Sequence, residues 1–179
     1  EYEGNRIGRI SMGGMTSEFV VPTAGAVPWG IAAGADGSMW FTENMGNRIG
    51  RITATGIVTE FAVPSAGVIP LGIAAGPDGA MWFTEYTGNK IGRITTSGAM
   101  SEFTVPTTGA FPYLIAAGPD GAMWFTEWGG NRIGRITTSG VVTEFAVPTA
   151  NVDPVGIAAG PDGTMWFTEY AGNMIGRIT

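Results

Sequence analysis

Hydrophobic residues in this chain fall in short runs broken by Gly, Pro and Asp. Over residues 72–105 the runs are GIAAG, MWFTE, IGRIT and MSEFTV. Runs this short, rich in Ile, Val, Phe, Trp and Thr and bounded by turn residues, predict β-strands. The expected strands are Gly72–Gly76, Met81–Glu85, Ile91–Thr95 and Met100–Val105. No segment sustains the 3.6-residue period of an amphipathic helix, so the expected fold class is all-β.

The same pattern repeats. Gly-Asn-x-Ile-Gly-Arg-Ile starts at Gly4, Gly46, Gly88, Gly130 and Gly172, a constant spacing of 42 residues. A period near 40–45 residues is the size of one four-stranded propeller blade. The expected architecture is a β-propeller array over 1–179, with four blades per chain. Blade units fall at 30–71, 72–113 and 114–155, and 1–29 joins 156–179 in a composite blade. Gly76-Pro77-Asp78-Gly79 predicts a type I turn with Gly in the left-handed position. Ser97-Gly98 predicts a two-residue hairpin loop, which would set Arg93 opposite Glu102, and likewise Arg9 opposite Glu18, Arg51 opposite Glu60 and Arg135 opposite Glu144. The third strand of the unit occurs five times and the others four, so Ile7–Ser11 and Ile175–Thr179 compete for one place in the composite blade. The N-terminal copy is expected to take it, because Arg9–Glu18 preserves that register. A chain of four wedge-shaped blades is expected to reach a closed eight-bladed ring as a homodimer, burying apolar blade faces.

Composition narrows the chemistry. Nine Lys+Arg against 15 Asp+Glu give a net charge of −6, which offers no basic surface for nucleic acid. The chain has no Cys and no His, so it lacks disulfides, thiolate chemistry and the usual neutral-pH base. No apolar run is long enough to span a membrane, and a cytoplasmic location is the expectation.

The string WFTE, then GN-x-IGRIT, a tight turn, TEF-x-VP and P-x-GIAAGPDG resembles the blade of the virginiamycin B lyase (streptogramin lyase) family, and the likeness runs through every unit. That resemblance implies a seven-bladed propeller that opens the ring of type B streptogramins by elimination, with Mg2+ at the active site. It places catalytic histidines just after the Pro that leads into the first strand. Here those positions hold Trp29, Leu71, Tyr113 and Val155, none of which transfers a proton near neutral pH. Two residues earlier stand Val27, Ile69, Phe111 and Asp153, with one carboxylate among four.

Candidate site residues come from recurrence and from variation. Glu43, Glu85, Glu127 and Glu169 end the WFTE strands; a carboxylate ring could bind a hard cation, while capping of the following loop by backbone N–H groups explains their recurrence more simply. The recurring Trp40, Trp82, Trp124 and Trp166 read as packing between blades. Large substitutions concentrate at the opposite end of the blades from the Asp-Gly turns. Trp29, Tyr86, Tyr113, Trp128 and Tyr170, with Asp153, are the candidate ligand-binding residues there, suited to a flat or sugar-like ligand.

Units 88–129 and 130–171 differ at 14 of 42 positions, which points to recent amplification or to design. The expected function is a non-catalytic binding scaffold without a cofactor, whose partners are a second copy and a small-molecule or glycan ligand. The alternatives are a Mg2+-dependent lyase of the resembled type and a lectin-like sugar binder.

Overall fold

The computed structural model describes residues 4–179, which contain seventeen strands and no α-helix. Three four-stranded antiparallel sheets form the middle of the chain. The first holds β3 (Pro28–Ala33), β4 (Met39–Glu43), β5 (Arg48–Ile52) and β6 (Val58–Ala62). The second holds β7 (Pro70–Ala75), β8 (Met81–Glu85), β9 (Lys90–Ile94) and β10 (Met100–Thr104). The third holds β11 (Pro112–Ala117), β12 (Met123–Glu127), β13 (Arg132–Ile136) and β14 (Val142–Ala146). A two-stranded sheet, β1 (Arg6–Ile10) and β2 (Thr16–Val20), precedes them; a three-stranded one, β15 (Pro154–Ala159), β16 (Met165–Glu169) and β17 (Met174–Ile178), follows. Each complete sheet is a meander in chain order, and the first strands of neighbouring sheets pack together, as in a propeller.

Two expectations about pairing need correction. Thr95 N–H donates to Ala99 O and Gly98 N–H to Thr95 O, both at 2.9 Å, so the loop between β9 and β10 has three residues. Gly98, at φ 93°, takes the left-handed position. The extra loop residue moves the register by one. Glu102 therefore stands opposite Gly92, and Arg93 opposite Ser101. In the other units Arg9, Arg51 and Arg135 face Ser17, Thr59 and Thr143. A one-residue slip reverses which side chains share a face, so Glu102 pairs with Lys90 at 3.1 Å and Arg93 with Asp78 at 2.7 Å. The second correction concerns the chain ends. Within one chain β16 pairs with β17, while β1 and β2 form a sheet of their own. The C-terminal copy, not the N-terminal one, thus stands beside β16.

The core lies between sheets. Trp82, Ile91, Val105 and Ala110 of one sheet pack on Ile115, Met123, Phe125 and Ile136 of the next. One period earlier, Trp40, Ile49, Val63 and Val68 meet Ile73, Met81, Phe83 and Ile94 in the same way. Within a sheet, Phe83 lies across Gly92 where any Cβ would overlap its ring, and Phe41, Phe125 and Phe167 do the same at Gly50, Gly134 and Gly176, whereas Gly8 on β1 has open space.

Polar ties stitch the same boundaries. Thr84 Oγ1 accepts from Gly72 N–H at 2.9 Å and donates to Tyr113 O of the next sheet at 2.7 Å. Glu102 accepts from the backbone N–H and the hydroxyl of Ser65, 2.9 and 2.8 Å away on the loop leaving the preceding sheet. Asn89 sits in the left-handed region at φ 53°. Its amide donates to Val105 O and Thr107 O, and its Oδ1 accepts from Ala110 N–H at 2.8 Å.

Candidate functional site

Two loops of each sheet emerge at the same end: the link that leads into the first strand, and the turn between the second and third strands. Backbone bonds fix them to each other. Tyr86 N–H donates to Ile69 O at 3.1 Å, Trp128 N–H to Phe111 O at 3.2 Å, and Tyr170 N–H to Asp153 O at 3.2 Å. The accepting residues Val27, Ile69, Phe111 and Asp153 all adopt positive φ, between 48° and 54°. For β-branched Val27 and Ile69 that conformation is strained. It holds the side chain before each proline at the rim of the array.

An aromatic cluster results. Tyr86 lies 5.0 Å from Phe111, 6.0 Å edge-on from Tyr113 and 6.1 Å from Trp128, and Phe111 is 6.4 Å from Trp128. Such spacings are those of mutually packed rings. Burial, then the neighbouring Tyr113, pushes the Tyr86 phenol above its ordinary value. The structure thus brings together three of the sequence candidates, Tyr86, Tyr113 and Trp128. Phe111 is the member missed as a site residue, although its variation between units was visible. Trp29 occupies the Tyr113 position two sheets away and is 47% exposed. Tyr170, 78% exposed, stands on the far side beside Asp153.

The strand-ending glutamates do something else. Glu43, Glu85 and Glu127 are completely buried, and neither oxygen of any of them meets a hydrogen-bond donor. Capping of the next loop fails because other carbonyls already take its N–H groups: Asn44 donates to Val27 O, and Met45 and Gly46 to Ala26 O. Each carboxyl is instead packed beneath a glycine, as Glu43 is beneath Gly46. Burial, with the repulsion of Glu102 next and the attraction of Lys90 opposing it, pushes Glu85 up to about 8. Glu43 beside Glu60 and Glu127 beside Glu144 are also raised to about 8. Burial thus favours the neutral acid at each of the three.

These residues do not fit Mg2+. The four glutamates lie one to a sheet, three of them sealed from solvent, and among the described residues no three acidic groups converge on a common point. Among the described residues the four glutamates therefore do not form a carboxylate ring.

At the other end of the sheets the Asp-Gly turns are closed structural units. Asp78 Oδ1 accepts from Trp82 Nε1–H at 3.1 Å and from Ala80 N–H, while Oδ2 meets Arg93 at 2.7 Å. Burial pushes its carboxyl up, but these donors outweigh it and hold it below the usual range. Arg93 then covers the Trp82 ring.

Comparison with known proteins agrees with this geometry. The sequence model of the virginiamycin B lyase family matches residues 1–70 and 46–179. No curated protein matches. A streptogramin B lyase structure is 46% identical with a TM-score of 0.97, over 99% of this chain and 60% of its own. A catalytically inactive histidine-to-alanine variant of virginiamycin B lyase from Staphylococcus aureus, solved with quinupristin, is 49% identical with a TM-score of 0.98. That match covers 100% of this chain and 61% of the relative. The chain thus spans about three fifths of the length of these structures. The likeness runs over the whole chain, and the chain belongs to the virginiamycin B lyase family.

Proposed function

We propose that this 179-residue chain is a non-catalytic binding scaffold of the family, which takes a flat, ring-rich ligand on the aromatic cluster of Tyr86, Phe111, Tyr113 and Trp128. The observation that carries the reading is the absence of histidine from the whole chain. The positions after the entry prolines, Trp29, Leu71, Tyr113 and Val155, hold no group able to shuttle a proton near pH 7. The S. aureus relative supports this, because the variant that lost one histidine is inactive yet was solved with its streptogramin ligand. In this chain the same end of the sheets carries packed aromatic surface, partly exposed at Trp128. That surface suits stacking more than acid–base chemistry.

The test pairs binding with turnover. Quinupristin is titrated into the chain while tryptophan fluorescence is followed, and ring opening is assayed with and without Mg2+. Saturable binding that weakens at least tenfold in Tyr86→Ala, with ring opening at the blank rate, is the expected result. Magnesium-dependent turnover at enzymatic rates overturns the reading in favour of a lyase. Saturable binding of a glycan and none of quinupristin assigns the aromatic face to sugars.

A further inference from the structure

The aromatic face rests on one irregular peptide. Between Pro112 and Ile115 the pairing of β11 with β12 slips, so Tyr113 and Leu114 together stand opposite the single Thr126. A bulge of this kind re-aims the side chains it carries. The peptide between Tyr113 and Leu114 is held at both of its polar groups. Its N–H donates to Thr126 Oγ1 of the same sheet at 3.1 Å, and its carbonyl accepts from Thr84 Oγ1 of the preceding sheet at 2.7 Å. Thr84 and Thr126 are both completely buried. Their hydroxyls fix the plane from which the Tyr113 side chain leaves the backbone.

One stretch of β8 and its turn grips Tyr113 twice. Thr84 holds the carbonyl, and Tyr86, two residues on, meets the Tyr113 ring edge-on with centroids 6.0 Å apart. Gly72 makes room for this approach. A Cβ there would lie 2.9 Å from Tyr113 O and 2.9 Å from Leu114 Cα, both backbone atoms that cannot turn aside. We infer that Thr84, with Gly72 beside it, is a positioning residue of the aromatic face, buried beneath it and setting the angle at which Tyr113 is presented. This rests on the reading of Tyr86, Phe111, Tyr113 and Trp128 as the ligand-binding face. It adds a residue that variation between units does not select, because Thr42, Thr84, Thr126 and Thr168 recur at this place in every WFTE strand.

An identical clamp one boundary earlier supplies the comparison. Thr42 Oγ1 donates to Leu71 O at 2.8 Å and accepts from Gly30 N–H at 2.9 Å, as Thr84 does at Tyr113 and Gly72. Gly30 faces Leu71 O as closely as Gly72 faces Tyr113 O. Removing either hydroxyl therefore strands the same two backbone groups. Only Thr84 aims a ring, because the residue held by Thr42 is the aliphatic Leu71. A threonine that merely ties sheets together would affect ligand binding equally at both boundaries; a positioning residue would not.

The test compares Thr84→Val, Thr84→Ser, Gly72→Ala and Thr42→Val with the parent chain. Labelled tyrosine rings report the Tyr86–Tyr113 contact as a ring-to-ring nuclear Overhauser effect without ligand, assigned by its loss in Tyr86→Phe; quinupristin titrations follow. Thr84→Val and Gly72→Ala are expected to lose the ring contact and to weaken quinupristin binding by about two- to tenfold, the share of one aromatic pair. Thr84→Ser, which keeps the hydroxyl, retains both. Thr42→Val lowers the melting temperature as far as Thr84→Val does and leaves the ring contact and the affinity as in the parent. An intact ring contact in Thr84→Val, a serine variant that behaves like the valine one, or an equal loss of affinity in Thr42→Val overturns the inference. A parent chain that does not bind quinupristin overturns the function proposed above instead, and the ring-contact series then decides the role of Thr84 by itself.

Discussion

Thr84 reaches across a sheet boundary to the carbonyl of Tyr113, 2.7 Å away, while its oxygen holds the N–H of Gly72 in its own sheet. One hydroxyl thereby joins the inner strands of adjacent sheets, and Thr42 and Thr126 do the same at Leu71 and Val155. Thr84→Val keeps the shape and leaves a buried N–H and a carbonyl unmatched. The expected cost is about 1–3 kcal/mol, read as a drop in melting temperature of about 2–4 °C for each kcal/mol lost. An unchanged melting temperature would show that the bridge is not structural.

The asparagine after each Gly of the second loop does two jobs that no other residue combines. At Asn89 the left-handed backbone suits Asn or Gly, and the side chain satisfies two carbonyls and one N–H. Asn89→Gly removes only the hydrogen bonds; Asn89→Ala adds backbone strain. The alanine variant is expected to unfold in less urea than the glycine variant, by about 1 kcal/mol. Equal midpoints would refute the strain component.

The buried acids make stability depend on pH in a defined sense. Glu85 is raised from 4.5 to about 8 in the folded chain, so the folded state holds a proton that the unfolded state releases. Its contribution is complete below pH 4.5 and is lost as pH rises towards 8. Glu43 and Glu127 act in the same direction. Melting temperature should therefore fall between pH 5 and pH 8, and Glu85→Gln should reduce that slope and raise the melting temperature at pH 8. A slope left intact by the substitution would mean Glu85 is already charged.

Asp78→Ala is expected to cost about 1–3 kcal/mol, because it strands the Nε1–H of the fully buried Trp82 and frees Arg93. The loss should show as earlier unfolding followed by tryptophan fluorescence, with no change in ligand binding at the opposite end of the sheets.

Much of this was legible in the chain. Strand identity followed from short β-rich runs, and Met81–Glu85 matches the structure at both ends. Register was misread because Gly98 was counted as half of a two-residue loop, when Thr95 closes on Ala99 around three. The role of Glu102 could not emerge from hairpin reasoning at all, since Ser65 lies 37 residues away on another sheet. The strand-ending glutamates misled for a similar reason: the N–H groups nearest Glu43 are claimed by Ala26 and Val27, on a segment distant in sequence. At the candidate site, variation between units located the aromatic end, but only the fold could show that Phe111 joins Tyr86 while Tyr170 stands apart.

The near-identity of the sheets has a consequence for how the chain finds its structure. A strand such as β9 could sit beside β8, β12 or β16 with almost the same side-chain fit, so the native pairing is nearly degenerate with pairings displaced by whole periods. Side chains alone cannot break that degeneracy. Proximity can: β8 and β9 are joined by a loop of only a few residues, and closing it costs far less entropy than closing a path one period longer. Folding fidelity here is therefore kinetic and local, set by short connections that close before distant copies can compete. Lengthening one such loop with a flexible insert would leave every native contact available and still send part of the population into swapped pairings.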